Sequence, residues 1–241
     1  MPGTLVGVDG CPAGWIAIAC NGENFARPSI ALFSDFQQLL SAMPEDSVVA
    51  VDMPIGLPDF VQAGGRGPEQ AVRPLLGARQ SSVFSIPSRA AVYAEDYLEA
   101  CRQSLLTSSP PRKVSKQAFN LFPKIRELDQ LMTPELCERV FEVHPELAFR
   151  QLAAQTPMAL PKKIKGRVNP QGMEERRRVL ESHGLEAGFL RQPAPRGAAS
   201  DDFLDACACL VIARRLALGK ARPFPDPPLK TTAGIRIAIW A

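Results

Sequence analysis

Five carboxylates occupy positions where burying an acidic side chain costs free energy. They end or interrupt apolar runs, or begin an apolar helix, and they are Asp9, Asp52, Glu142, Asp202 and Asp205. An ionised carboxylate in apolar surroundings needs a hydrogen-bond donor, a counter-charge or a metal ion. Hard divalent cations prefer oxygen ligands, so these side chains predict a site for Mg²⁺ or Mn²⁺.

Asp202 and Asp205 are separated by three positions, so they project from the same side of a helix. The rest of that helix face is apolar, which predicts that it points into the core, and it continues through Cys209, Ile212 and Leu216. Two like charges at a buried helix end repel each other unless a cation or a proton relieves them.

Simpler explanations remain open for some of these acids. Asp9 precedes Gly10, and an aspartate in such a turn often accepts hydrogen bonds from its own backbone. Two strands that end in aspartate can also arise by coincidence. Asp201, in the first turn of the last helix, is fully explained by the positive end of the helix dipole, whereas Asp205 is not.

The elements that hold the first two acids are predicted strands followed by turns. Leu5–Asp9 is an apolar run, Gly10–Gly14 is a turn, and a second apolar run follows, which predicts a hairpin. Ser47–Asp52 is a near-continuous apolar run of the kind found inside parallel sheets. If the two strands are parallel neighbours, both aspartates emerge at one edge, where open α/β sheets place their sites.

The remaining pattern predicts an α/β protein with one domain over residues 1–241 and a largely helical insertion over about residues 58–133. Within the insertion we expect helices over Tyr93–Leu106 and Lys116–Leu131, the second kinked or divided by Pro123. The other predicted elements are a strand over Ser29–Phe33, a helix over Asp35–Ala42 capped by Ser34, a strand over Arg139–His144, a helix from His144–Glu146 through Leu152, a helix over Ser200–Leu218 capped by Ser200, and a strand or extended arm over Lys220–Ala241.

The amino-acid composition indicates which broad class of protein the chain belongs to. The 241 residues are 46% hydrophobic and 22% charged, which is typical of a soluble globular protein. The six cysteines form no Cys-x-x-Cys pair and suit buried thiols in a reducing cytosol. No apolar run is long enough to span a membrane, and the residues after Met1 lack the pattern of a signal peptide, so we expect a cytoplasmic protein. With only His144 and His183 present, a histidine-based zinc site is not predicted.

The order of elements resembles the ribonuclease H-like fold, in which three antiparallel strands lead into the parallel part of a five-stranded mixed sheet. Several motifs also resemble an uncharacterised family of predicted nucleases, domain-of-unknown-function family 429. These motifs are Gly7–Trp15 (GVDGCPAGW), Val51–Pro58 (VDMPIGLP), Leu76–Phe84 (LGARQSSVF), Lys116–Leu121 (KQAFNL), Glu142–Glu146 (EVHPE) and Asp201–Ala206 (DDFLDA).

The resemblance implies roles for the acids. Asp9 would bridge metal ions and Asp52 would be the second acid. Asp202 and Asp205 look like the terminal-helix pair of Holliday-junction-resolvase-type proteins. Glu142 has no firm equivalent and is a possible extra ligand or water-orienting group.

The resemblance also extends to basic residues of the insertion. Four of them match family motifs and would hold substrate phosphates, or else pair with acids and serve stability: Arg79, Arg89, Lys116 and Lys124.

Three functions fit these observations. The first is a metal-dependent phosphodiester hydrolase acting on DNA or RNA, which the acids and the basic stretch from Lys162 to Arg178 favour. That stretch can equally be a solvated helix face. The second is a small-molecule phosphotransferase or nucleotide hydrolase of the actin-like ATPase type. The third is a non-catalytic binding module that keeps the fold.

Overall fold

The computed structural model describes residues 3–22, 25 and 27–241 and contains a five-stranded mixed sheet. Strands β1 (Thr4–Cys11), β2 (Gly14–Asn21) and β3 (Ser29–Phe33) pair antiparallel. Strands β4 (Val48–Asp52) and β5 (Val140–Glu142) continue the sheet in parallel with β1, in the order β3-β2-β1-β4-β5. This confirms the predicted mixed sheet, which has a ribonuclease H-like arrangement.

The register of the sheet confirms that β1 and β4 are parallel neighbours, with Asp9 directly opposite Asp52. Side chains alternate between the two faces of a strand. Leu5 and Ala50 belong to the core on one face, while Val8 and Val51 belong to the core on the other. Asp9 and Asp52 therefore project toward the first of these faces.

That first face is covered by the longest helix, α9 (Ser200–Ala217), whose residues from Phe203 to Ala213 are all buried. The helix lies almost directly on β1. A Cβ atom added at Gly7 would stand 2.1 Å from both Ala206 O and Leu210 N. Only glycine permits this close approach, so the sequence at Gly7 sets how deeply α9 sits on the sheet.

The helices N-terminal to α9 are α1 (Phe36–Ala42), α2 (Gly67–Val72), α3 (Arg89–Val92), α4 (Tyr97–Leu106), α5 (Lys116–Leu131), α6 (Pro145–Leu152), α7 (Pro170–Ser182) and α8 (Ala187–Arg191), with 3₁₀ turns over Arg73–Ser82 and Leu136–Glu138. The insertion is thus largely helical. The second core lies on the other face of the sheet, where Phe36 of α1 and Phe122 of α5 pack with Trp15. Among the described residues, no helix has the length and apolar character needed to cross a membrane.

Three predicted details of the helices were wrong. The helix expected over Tyr93–Leu106 begins only at Tyr97, because Asp96 caps it by accepting a hydrogen bond from the Glu99 N–H, and the short helix α3 ends before Tyr93. Asp35, rather than Ser34, caps α1. The N-cap of α9 is Ala199, rather than Ser200, and Asp202 accepts its backbone N–H. In contrast, α5 keeps the predicted bounds and continues through Pro123.

The C-terminal segment forms a hairpin of β6 (Pro223–Lys230) and β7 (Arg236–Trp240), two paired strands where a single strand or extended arm was expected. Ile239 of β7 packs with Val72, Leu76, Val83 and Leu147 in a third apolar cluster. Two pairs of two-residue strands complete the described elements: Val61–Gln62 with Ser108–Ser109, and Lys163–Ile164 with Arg167–Val168.

Candidate metal centre

Three of the predicted acids meet at the edge of the sheet. Asp9 from β1, Asp52 from the end of β4 and Asp205 from the second turn of α9 each present a carboxylate oxygen within 4.8 Å of the other two. Asp9 and Asp205 are 7% and 4% exposed, and Asp52 is half-buried. We call these three residues the carboxylate cluster. Their convergence follows from the strand register, the alternation of side chains and the close seat of α9.

The proximity of the carboxylates makes their ionised forms unfavourable. Burial raises the pKa of Asp9 and of Asp52 well above the usual value of 3.8, and the neighbouring carboxylates raise it further. Burial also raises the pKa of Asp205 to about 6, although Lys162 opposes the shift. At neutral pH, the three carboxylates therefore need bound protons or cations that offset their burial and mutual repulsion.

Lys162 supplies one positive charge to the carboxylate cluster. Its Nζ donates to Asp205 Oδ2, and its side chain is 21% exposed. Burial alone would lower the pKa of Lys162, but Asp205, Glu146 and Asp52 together raise it above its ordinary value. Next to it, Lys163 Nζ lies 2.6 Å from Asp201 Oδ2. The loop that carries both lysines is thus tied to the start of α9.

The donor set of the carboxylate cluster fits a divalent cation. Asp205 Oδ1 is buried and has no hydrogen-bond partner, which leaves a lone pair free for a ligand. Asp9 Oδ1 accepts the Gly10 N–H at 2.7 Å, so the turn interaction considered from the sequence does form, and it engages one of the two oxygens. Oxygen donors of this type suit Mg²⁺, Mn²⁺ and Ca²⁺.

Asp202 is placed differently from the three clustered acids. Its Oδ2 accepts the Ala199 N–H at 2.8 Å and so closes the first turn of α9. It is half-buried, and burial raises its pKa. The structure therefore gives Asp202 a capping contact at the border of the cluster.

Glu142 also lies apart from the cluster. It is opposite Val51 in the sheet, so its side chain projects to the face away from α9. Arg66 Nη2 donates to Glu142 Oε1 at 2.6 Å, and the Ile55 N–H donates to Oε2 at 2.7 Å. Burial raises the pKa of Glu142 to about 7, against the influence of Arg66. Through these contacts Glu142 stabilises the loop after β4, which contains Ile55.

Of the four predicted phosphate-binding residues, Lys124 is the one placed beside the acids. It lines the same cavity as Asp9 and Asp52 and donates to the Gly14 carbonyl oxygen. Arg89 instead forms two 2.6 Å hydrogen bonds to Asp129.

The other two phosphate-binding candidates are placed elsewhere. The ammonium of Lys116 lies 3.4 Å from the centroid of the Tyr97 ring, in a cation–π contact. Arg79 is half-buried in a 3₁₀ turn, with Nε unpaired.

Sequence reasoning missed the cationic partners of the acids. Lys162 belongs to a basic stretch that can be a solvated surface, and Arg176 in the same stretch is fully buried with Nη2 2.6 Å from Glu146 Oε1. Arg66 stands among glycines, yet it is 3% exposed. Arg66 could have been singled out as the one basic residue in a glycine-rich loop. The spacing of the basic residues around Lys162 does not distinguish it from its neighbours.

A cavity of about 190 Å³ opens beside the cluster. Its lining includes Asp9, Gly10, Asp52 and Lys124, and most of the other lining residues are apolar. Because the cavity adjoins the acids, a molecule bound to the cluster can extend into it.

The chain belongs to the family described as "Protein of unknown function (DUF429)", whose model matches residues 7–230. The predicted family membership is thereby confirmed. No curated protein and no solved structure matches the chain.

Proposed function

We propose that this chain is a divalent-metal-dependent phosphodiester hydrolase that acts on nucleic acid, with Mg²⁺ or Mn²⁺ as its cofactor. The observation that carries the proposal is the meeting of three carboxylates within 4.8 Å at the carboxyl ends of β1 and β4. Structural ion pairs do not need three converging acids with an unpaired buried oxygen, whereas a metal site does.

Asp9, Asp52 and Asp205 would hold the cation. When bound, the cation supplies Lewis acidity toward a phosphoryl oxygen and lowers the pKa of a water molecule. Asp9 and Asp52 have the placement to orient the attacking water, since both line the cavity. Lys124, which lines the same cavity, supplies positive charge for a substrate phosphate.

The loop after Lys162 supports nucleic acid as the substrate. Its short strands, Lys163–Ile164 and Arg167–Val168, form a hairpin whose residues are exposed, including Lys165 at the turn. The hairpin therefore presents basic side chains next to the carboxylate cluster, to which Lys162 ties it. Phosphate contacts of this kind supply most of the sequence-independent affinity for nucleic acids.

The test compares wild type with Asp9→Asn on labelled single-stranded, duplex and branched DNA and RNA, in Mg²⁺, Mn²⁺ or EDTA. Asparagine keeps the shape and the Gly10 hydrogen bond but removes the charge. We expect metal-dependent cleavage that falls at least 100-fold in Asp9→Asn, in line with the roughly 10²–10³ lost when one charge-stabilising group is removed. Asp96→Asn is the matched control, because Asp96 is an exposed helix cap that asparagine can replace.

A second candidate, a non-catalytic binding module, is favoured by one observation. Lys162 already neutralises part of the cluster by pairing with Asp205. Calorimetric titration with Mn²⁺ separates the two candidates. Absence of Mn²⁺ binding together with absence of cleavage would reject the hydrolase and leave the binding module.

A further inference from the structure

The apolar walls of the cavity beside the carboxylate cluster have no part in holding a metal ion. They come from four separate segments of the chain and include Phe84, Ile86, Leu121, Val143 and Ile239. These side chains converge from the loop before α3, from α5, from the residue after β5 and from the C-terminal hairpin. An apolar recess that adjoins a charged centre typically binds the uncharged part of a ligand.

The polar groups in the walls are mostly occupied. Glu69 and Glu142 both pair with the buried Arg66. His144 Nε2 lies 3.3 Å from the Ser82 carbonyl oxygen, which can only accept, so in the neutral imidazole Nε2 carries the proton. His144 Nδ1 is then an acceptor, and it is buried without a partner. The cavity thus offers mainly apolar walls to a ligand.

The size of the cavity limits what it can hold. An engineered cavity of about 150 Å³ binds benzene, and pockets for drug-sized ligands span about 300–1,000 Å³. At about 190 Å³, this cavity has room for one planar ring system and excludes a whole nucleotide. The charged remainder of such a ligand would stay beside Asp9, Asp52 and Lys124, which also line the cavity.

We propose that this cavity receives a single unstacked nucleobase of the nucleotide whose phosphate lies at the carboxylate cluster. The inference rests on the proposed phosphodiester hydrolase function and specifies its substrate. A planar base meets the apolar walls and Phe84, and Lys124 contacts the phosphate. A base that enters the cavity must leave its stack.

The consequence is a preference for unpaired nucleotides. Extruding a base has the lowest cost where it is already single-stranded or mismatched. Single-stranded segments and unpaired positions at junctions are therefore the expected substrates, and an intact duplex is a poor one. A nucleotide without a base loses the cavity contact while keeping its phosphate.

The test uses single-stranded oligonucleotides that carry either 2-aminopurine or an abasic site at one central position, with binding followed in Ca²⁺ and cleavage in Mg²⁺. Leu121→Trp fills the cavity from α5. Leu131→Trp is the matched control, because Leu131 is also partly buried on α5 but lies at a different surface hollow. Phe84→Leu is a second variant, which keeps apolar bulk and removes the ring. Thermal melting verifies that each variant is folded.

We expect 2-aminopurine emission to change on binding to wild type and Leu131→Trp, and affinity to fall about tenfold in Leu121→Trp and several-fold in Phe84→Leu. The abasic oligonucleotide should bind wild type about tenfold more weakly and be cleaved more slowly at the abasic position. Cleavage that is equal for both oligonucleotides and unchanged by Leu121→Trp overturns the nucleobase assignment alone. Absence of nucleic acid binding and cleavage in wild type overturns the proposed function as well.

Discussion

Lys162 places a positive charge where a cation bound by the carboxylate cluster would lie. Its ammonium donates to Asp205 Oδ2, so the lysine and a metal ion compete for the same carboxylate. Two cations at adjacent positions also repel each other. Metal binding at this site therefore includes the cost of releasing or moving the lysine.

We predict that Lys162→Gln binds Mn²⁺ more tightly than wild type, because the competing charge is removed while a polar side chain of similar length remains. Calorimetric titration measures the affinity, and about a tenfold change corresponds to the loss of a partly buried charge repulsion. Lys163→Gln is the matched control, since it removes the same charge from an exposed residue that pairs with Asp201. Weaker Mn²⁺ binding in Lys162→Gln would show instead that the lysine supports the metal site.

Single residues also show what sequence can and cannot reveal. Asp9, Asp52 and Asp205 could be found because each acid interrupts an apolar pattern, which is a local signal. The partner of Asp205, however, is 43 positions away, and the Arg66 partner of Glu142 is 76 positions away. Such pairs depend on tertiary packing, and no local pattern reports them. Glu142 was a candidate extra ligand because, like Asp52, it lies in an apolar run, but the sheet register turns the two side chains to opposite faces.

At the scale of elements, the contact between β1 and α9 brings the acids together. Gly7 and Asp9 lie on the same face of β1, and the helix rests against the backbone of Gly7. Any side chain at Gly7 would lift α9 and move Asp205 away from Asp9.

We predict that Gly7→Ala lowers the free energy of unfolding by at least about 1–3 kcal/mol, the usual cost of an overpacked core, and abolishes tight Mn²⁺ binding. Urea denaturation and calorimetric titration measure the two effects. Gly188→Ala is the control, because a Cβ atom there meets nothing within 4 Å and the residue lies in helix α8. A Gly7→Ala protein with unchanged stability would contradict the close seat of α9.

The strands and longer helices were predictable because their apolar patterns extend over whole elements. Strand Ser29–Phe33 and helix Lys116–Leu131 have the bounds expected from sequence. The helix caps were less predictable, because Ser34 and Asp35 are both good caps and the choice depends on one backbone turn. The hairpin over Pro223–Trp240 was not recognised, since the four prolines in its first strand weaken the strand pattern.

For the whole molecule, the carboxylate cluster links stability to pH. The pKa of Asp205 is raised to about 6, and those of Asp9 and Asp52 are also raised. A carboxyl whose pKa is higher in the folded than in the unfolded state contributes stability below its unfolded pKa, near 3.9. That contribution is lost as the pH rises through the folded-state pKa. Without metal, folding is therefore penalised most at neutral and alkaline pH.

We predict that Asp9→Asn is more stable than wild type in EDTA, and that the difference in unfolding free energy grows as the pH rises from about 4.5 to 8. For a chain of this size, each kcal/mol corresponds to about 2–4 °C in Tm. Melting curves in EDTA and in Mn²⁺ provide the measurement, and Mn²⁺ should stabilise wild type but not the variant. A difference that is independent of pH would show that Asp9 is ionised in both states.

The packing of α9 on β1 also has a consequence for how the chain folds. Asp9 and Asp205 are separated by about 200 residues, and β1 packs against α9 although the two elements lie near opposite ends of the described sequence. Folds dominated by such non-local contacts form slowly, because closing a long loop costs conformational entropy before the stabilising contacts can form. During synthesis on the ribosome, β1 and its hairpin emerge long before the helix that covers them. The growing polypeptide therefore carries an uncovered glycine on β1 and an incomplete set of acids until the last helix has left the exit tunnel. Any activity of the carboxylate cluster therefore requires that α9 has been synthesised and has packed onto β1.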